Sequence, residues 1–219
     1  LHGRDRVRNA APDTAMLIST TRLERGTSGD DRVAVAELGD VTLVVVADGA
    51  GGTGAGGAVA EAICQRIIAA VRAGTRGASA WAECLAEADR EVANAGSGGE
   101  STAVVVEIRE GSVLGASVGD SEAWIVAPHR VLDLTEAQRR KPLLGSGRAV
   151  PVAFGPVAFE GRLLVATDGL FSYSSPDNRT RLVKSGSIEE AADALVATVR
   201  LRSGALPDDL ALVLAEFAG

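Results

Sequence analysis

Two stretches of the chain bring an apolar run to an Asp-Gly exit: Val44-Val45-Val46-Ala47-Asp48-Gly49 and Leu163-Leu164-Val165-Ala166-Thr167-Asp168-Gly169. An aspartate at the end of a buried strand projects into the cleft above the sheet. The glycine after it lets the chain turn and aim its carbonyl the same way. Asp120 stands in Val118-Gly119-Asp120-Ser121 between two strand-like runs, and Asp208 and Asp209 precede the last apolar run. Singly, such residues are ordinary turns. Gathered in one cleft they would repel, and would have to take up protons or hold cations. Ligands that are all oxygen favour magnesium, manganese or calcium.

These aspartates need strands to carry them. Alternation at Val33, Val35 and Leu38, then the run Val41 to Ala47, predicts a hairpin turning at Gly39-Asp40. Val59, Ile63, Ile67 and Val71 repeat every four residues, and Trp81, Cys84, Leu85, Ala88 and Val92 every three or four, which predicts two amphipathic helices in succession. Three β-rich runs follow, at 102–108, 112–118 and 123–126. Residues 128–160 read as irregular, with Pro142, Pro151 and Pro156. A strand at Leu163 to Ala166, a helix through Ile188, Ala192, Leu195 and Val199, and a strand at Leu210 to Phe217 complete the pattern. Few of these units alternate strand and helix as a parallel sheet requires. The order predicts an α+β fold of antiparallel sheets covered by helices.

Gly49-Ala50-Gly51-Gly52-Thr53-Gly54 matches GxGxxG, but a second helix follows where a dinucleotide fold needs a second parallel strand. Asp48 would also set its charge against a pyrophosphate. A net charge of −7 argues against nucleic acid as a partner. No apolar stretch is long enough to span a bilayer, and no signal pattern opens the chain, so the expectation is a cytoplasmic protein without a membrane partner. Cys64 and Cys84 lack metal-ligand spacing and read as small buried residues. With 219 residues, one domain over 13–219 after a tail at 1–12 is expected.

The joint order of Gly29-Asp30-Asp31-Arg32, Val46 to Gly52, Glu100-Ser101-Thr102-Ala103, Val118 to Ser121, Ala166 to Gly169 and Asp208-Asp209-Leu210 resembles the metal-dependent protein phosphatase (PPM, protein phosphatase 2C) family of bacterial type, from about residue 14 to 217. The resemblance implies a four-layer α/β/β/α sandwich of two antiparallel sheets flanked by helix pairs. It implies a phosphoserine/phosphothreonine phosphatase using two manganese or magnesium ions, or three. Asp48 would bridge two of them, the Gly49 carbonyl would bind one, and Asp168 and Asp208 the other. Asp31 would hold metal-bound waters, and Asp120 with Asp168 would hold the third ion. Water activated between two ions would attack phosphorus. Arg25, one place before the position at Gly26 where the family carries an arginine, would neutralise phosphoryl charge. The implied partners are phosphoproteins and an opposing serine/threonine kinase.

The sequence also departs from the family. Ala50 stands where many members carry histidine or methionine, Glu122 replaces an arginine, and Ala211 replaces Thr or Ser. The short interval from Asp120 to Asp168 predicts a reduced flap beside the site. The alternative to an enzyme is a pseudophosphatase kept as a regulatory binding module. Three aspartates that repel one another without cations argue against it.

Overall fold

The computed structural model describes residues 17–50, 55–96, 98–109 and 111–218. In chain order the elements are β1 (Leu17–Glu24), β2 (Arg32–Leu38), β3 (Val41–Ala47), β4 (Gly49–Ala50), α1 (Gly56–Arg72), α2 (Ala78–Ala95), β5 (Glu100–Ser101), β6 (Ala103–Arg109), β7 (Ser112–Val118), β8 (Glu122–Val126), β9 (Val131–Asp133), β10 (Val152–Ala158), β11 (Arg162–Ala166), α3 (Asp168–Phe171), α4 (Pro176–Val183), α5 (Ile188–Val199) and β12 (Leu210–Phe217). One sheet runs β1-β12-β11-β8-β9, the other β10-β7-β6-β3-β2, and β4 and β5 form a short ribbon. Every strand pair among the described residues is antiparallel, so no dinucleotide-type parallel unit is present among them.

The layering follows from the period of two along each strand. Leu43, Val45 and Ala47 of β3 pack with Ile63, Ile67, Trp81 and Leu85 of α1 and α2. Val44 and Val46, on the opposite face, pack with Ile125, Val165 and Val213 of the other sheet. Leu164, Leu212 and Leu214 turn away from that interface toward Leu170, Ile188 and Leu195 of α3 and α5. The central strands are therefore buried on both faces, which is why they read as continuous apolar runs. Three apolar cores stack into the expected four-layer sandwich of helices, sheet, sheet and helices.

The hairpin at Gly39 forms as read, with Leu38 opposite Val41. Several elements depart from the sequence expectation. β1 pairs along β12 from Leu17↔Phe217 to Glu24↔Leu210, yet Ser19, Thr20 and Thr21 hide its strand character. Residues 128–160 contain β9 and β10. β10 tolerates Pro156 because it is an edge strand whose register shifts between Phe154 and Val157. α4 begins at Pro176 under a Ser175 cap, whose side chain accepts from the Asn178 amide. α3, only four residues long, opens at Asp168 itself. Cys64 and Cys84 are buried and free. The expected tail at 1–12 lies outside the described residues.

Candidate metal centre

Strand pairing sets Arg32 opposite Ala47, Ala103 opposite Val118, and Ala166 opposite both Glu122 and Leu212. The ends of β3, β7 and β11 and the starts of β2 and β12 thus fall at one end of the sandwich. The aspartates beside them are Asp48, Asp120, Asp168, Asp31 and Asp208.

Asp48 stands near enough to Asp31 and Asp168 for both charges to act on it. Burial, then the charges of Asp31 and Asp168, push its carboxyl up to about 8. Burial also drives Asp31 up to about 7, against the lowering effect of a hydrogen bond from Thr167. Asp168 is raised by burial, then by Asp120 and Asp208. Among the described residues no three acidic, histidine or cysteine groups already form a coordination sphere. The donor set nonetheless fits hard divalent cations. All the side chains are carboxylates, and a dication relieves the repulsion that now raises their proton affinity.

That repulsion has a testable consequence for protein held in chelator. The carboxyls at 48 and 31 sit above their ordinary value of 3.8. The folded form therefore keeps protons that the unfolded chain gives up. The associated stability is complete below the unfolded value and is lost as pH rises through about 7 and about 8. In chelator the melting temperature should fall between about pH 5 and about pH 8.5, and excess Mn2+ should restore it at the upper end. A melting temperature that ignores both pH and Mn2+ would contradict the carboxylate cluster.

Hydroxyl groups place these carboxylates. Thr167, buried, donates to Asp31 Oδ2 at 2.7 Å and accepts from the Ala211 amide at 2.9 Å. Thr102 Oγ1 accepts from the Asp48 amide at 3.0 Å, while the Thr102 amide donates to the Asp48 carbonyl at 2.9 Å. Ser101 Oγ donates to the same carbonyl at 2.9 Å. Thr102 Oγ1 also bonds Ser121 Oγ at 2.7 Å, tying the residue beside Asp120 to the backbone of Asp48. Thr102→Val keeps the shape and leaves two buried partners unsatisfied. It should cost about 1–3 kcal/mol in urea unfolding, and a variant as stable as the wild type would remove this role.

The glycines act differently from the sequence expectation. Gly49 and Gly169 do not adopt positive φ. Their need is space, because a Cβ on Gly49 would stand 2.3 Å from the Gly56 backbone and one on Gly169 1.9 Å from the Asp209 carbonyl. Gly26 is equally constrained, since a Cβ there would meet the Asp208 carbonyl at 2.0 Å. This backbone cannot hold an arginine at 26. Arg25 is exposed, with its guanidinium end folded beside Gly29.

Asp208 and Asp209 part company. Asp208 turns its charge toward Asp48 and Asp168. Asp209, 5% exposed, faces the loop between β1 and β2, and its Oδ1 accepts from the Gly26 and Thr27 amides at 2.8 Å each. Its Oδ2 accepts from the Gly29 amide at 2.5 Å, the Asp30 amide at 2.9 Å and Ser28 Oγ at 3.1 Å. Burial acts to raise its carboxyl, yet the four amides hold it at about 2.

Sequence reasoning assigned no role to Thr102, Thr167, Arg140 or Arg179. Arg140 reaches Asp120, Nε to Oδ2 3.2 Å. Arg179 lies 4.8 Å from the ring centroids of both Trp124 and Phe171 and donates to the Phe171 carbonyl, fixing the end of α3. Thr167 beside Asp168 and Ser121 beside Asp120 were usable signals; nothing local marked the two arginines. His129 is exposed on the turn between β8 and β9, and His2 lies outside the described residues.

No curated protein matches this chain by sequence. Residues 39–218 match the family described as stage II sporulation protein E (SpoIIE). Among solved structures, a bacterial serine phosphatase superposes with TM-score 0.80 at 20% identity, covering 93% of this chain and 99% of that one. The catalytic domain of the serine/threonine protein phosphatase PstP, in complex with two manganese ions, gives 0.78 at 19% identity over 93% and 99%. A serine/threonine phosphatase from Staphylococcus aureus gives 0.78 at 20% over 93% and 96%. At such identities these likenesses speak for the fold. The family match, which spans most of the chain, says more: the protein belongs to the stage II sporulation protein E (SpoIIE) family, of the metal-dependent (PPM-type) protein phosphatases.

Proposed function

We propose that the protein hydrolyses phosphoserine and phosphothreonine in other proteins, with manganese or magnesium held by its strand-end aspartates. The observation that carries this reading is Asp48, half-buried beside Asp31 and Asp168 and repelled by both. Asp48, the Gly49 carbonyl, Asp168 and Asp208 are the groups that would hold the ions. When bound, the ions supply activation of water and neutralise charge on the phosphoryl oxygens. Thr102 and Ser101 fix the backbone of Asp48 from both sides. Asp31, beside Asp48, is anchored by the hydroxyl of Thr167. With Ala50 at the family's histidine position, no side chain there can donate to the leaving oxygen.

Arg25 is the proposed phosphoryl contact. Arg25→Ala should raise KM several-fold with kcat nearly unchanged, because the contact exists in ground and transition states alike. An unchanged KM would return Arg25 to the solvent. The proposed domain is 13–219, and the proposed setting is the cytoplasm, opposite a serine/threonine kinase. Among the described residues no helix is long and apolar enough to cross a membrane.

The test is hydrolysis of p-nitrophenyl phosphate and of phosphoserine and phosphothreonine peptides with Mn2+, with Mg2+ and with chelator. Turnover that needs the metal supports the reading. Folded protein that binds Mn2+ and turns over nothing would favour the binding module.

A further inference from the structure

A positive charge reaches the aspartate cluster from outside the strands. Arg140 lies in the run Arg139-Arg140-Lys141 within the connection between β9 and β10, and its Nε stands 3.2 Å from Asp120 Oδ2. Asp120 is in turn the charge that raises Asp168 most, after the effect of burial, and Arg140 also acts on Asp168 with the opposite sign. Guanidinium, Asp120 and Asp168 share one corner of the site.

The backbone around Arg140 is tied to both sides of Asp120. The Gly119 amide donates to the Arg139 carbonyl at 3.3 Å, and Gln138 Nε2 donates to the Ser121 carbonyl at 2.8 Å. Farther along, Asp89 of α2 accepts from the Gly145 and Gly147 amides at 2.8 and 2.9 Å and from the Ala149 amide at 3.0 Å. Leu144 exchanges two backbone bonds with Ser101. The loop that delivers Arg140 is therefore registered against the same strand ends that carry the aspartates.

We propose that Arg140 is a built-in cation that neutralises the Asp120–Asp168 corner and disfavours a third divalent ion there. This rests on the reading of the cluster as a divalent-metal site. Arginine cannot shed its charge by deprotonation at any working pH. A dication entering the corner would stand roughly 6 Å from the guanidinium, where repulsion in a water-like medium weakens its binding about tenfold. The side chain of Arg140 is 77% exposed, so it can swing aside. The expected result is a weaker third site rather than a closed one.

The test needs no substrate: Mn2+ alone is titrated into the protein and free Mn2+ is followed by electron paramagnetic resonance. The wild type and Arg140→Lys should bind two ions and a third only weakly. Arg140→Ala should bind the third about tenfold more tightly, and Arg140→Ala combined with Asp120→Ala should lose that gain. A third ion of equal affinity in wild type and Arg140→Ala, or one bound by wild type as tightly as the first two, overturns the proposal and leaves the metal centre standing. No Mn2+ bound by the wild type would sink the metal centre and this proposal together.

Discussion

Asp168→Asn abolishes metal-dependent turnover while the protein stays folded: that is the outcome expected of the residue that joins the carboxylate cluster to α3. The side chain is half-buried, and its carboxyl is raised by burial, Asp120 and Asp208. Replacing it with the isosteric amide removes one charged oxygen donor and leaves the shape. A bound metal supplies several kcal/mol of transition-state stabilisation, so its misplacement should lower kcat by about a thousandfold. The fold has little to lose. No side-chain cap on α3 depends on Asp168, and the Ser172 amide bonds its backbone carbonyl rather than its carboxylate. Removing one of several repelling charges should leave the melting temperature in chelator unchanged or higher. Turnover and stability thus move independently, and each has its own assay. Full activity in the variant would remove Asp168 from the metal site. Lost activity with a collapsed melting temperature would make its role structural.

The parts of the fold that were legible from sequence are those where burial on both faces leaves one choice of residue. Val41 to Ala47, Leu163 to Ala166 and Leu210 to Phe217 are apolar but for Thr42 and Glu216 because each strand has a helix layer on one side and a sheet on the other. The aspartates at their ends stand out against that background. β1 was illegible for the converse reason. It is an edge strand, and its Ser19-Thr20-Thr21 resembles a loop until β12 pairs with it. The glycines after Asp48 and Asp168 were rightly marked and wrongly explained. Turn conformations are local, whereas the contacts of Gly49 with Gly56 and of Gly169 with Asp209 are made by backbone arriving from elsewhere. Arg140 carries no local signal at all. Its meeting with Asp120 depends on where an irregular loop returns. Asp208 and Asp209 show the limit most sharply. They are the same residue type side by side, and what separates their roles is a loop 179 to 183 positions away in the chain.

That loop supports the second large effect, a loss of stability in Asp209→Ala. The carboxylate of Asp209 gathers four amides and one hydroxyl from residues 26–30, a ring of donors closing on an anion. Alanine leaves those donors facing one another at the start of β2, where Asp31 must be presented to Asp48. Leaving such donors without an acceptor costs about 1–3 kcal/mol for each one that water cannot reach, so a loss of about 3–5 kcal/mol is expected, which lowers the melting temperature of a domain this size by about 10 °C. Asn is the informative partner variant. Its Oδ1 can still accept from Gly26 and Thr27, but its amino group points a donor at the donors of Gly29 and Asp30, so it should rescue only part of the loss. The pH dependence follows from the sign of the shift. The folded carboxyl lies below the ordinary 3.8, at about 2, so its contribution is complete above the unfolded value and is lost as pH falls through about 2. In acid titrations the wild type should lose stability across that window, whereas Asp209→Asn should lack that component and follow a shallower course. Equal acid profiles in the two proteins, or an Asp209→Ala variant as stable as the wild type, would mean that residues 26–30 hold their shape without the anion.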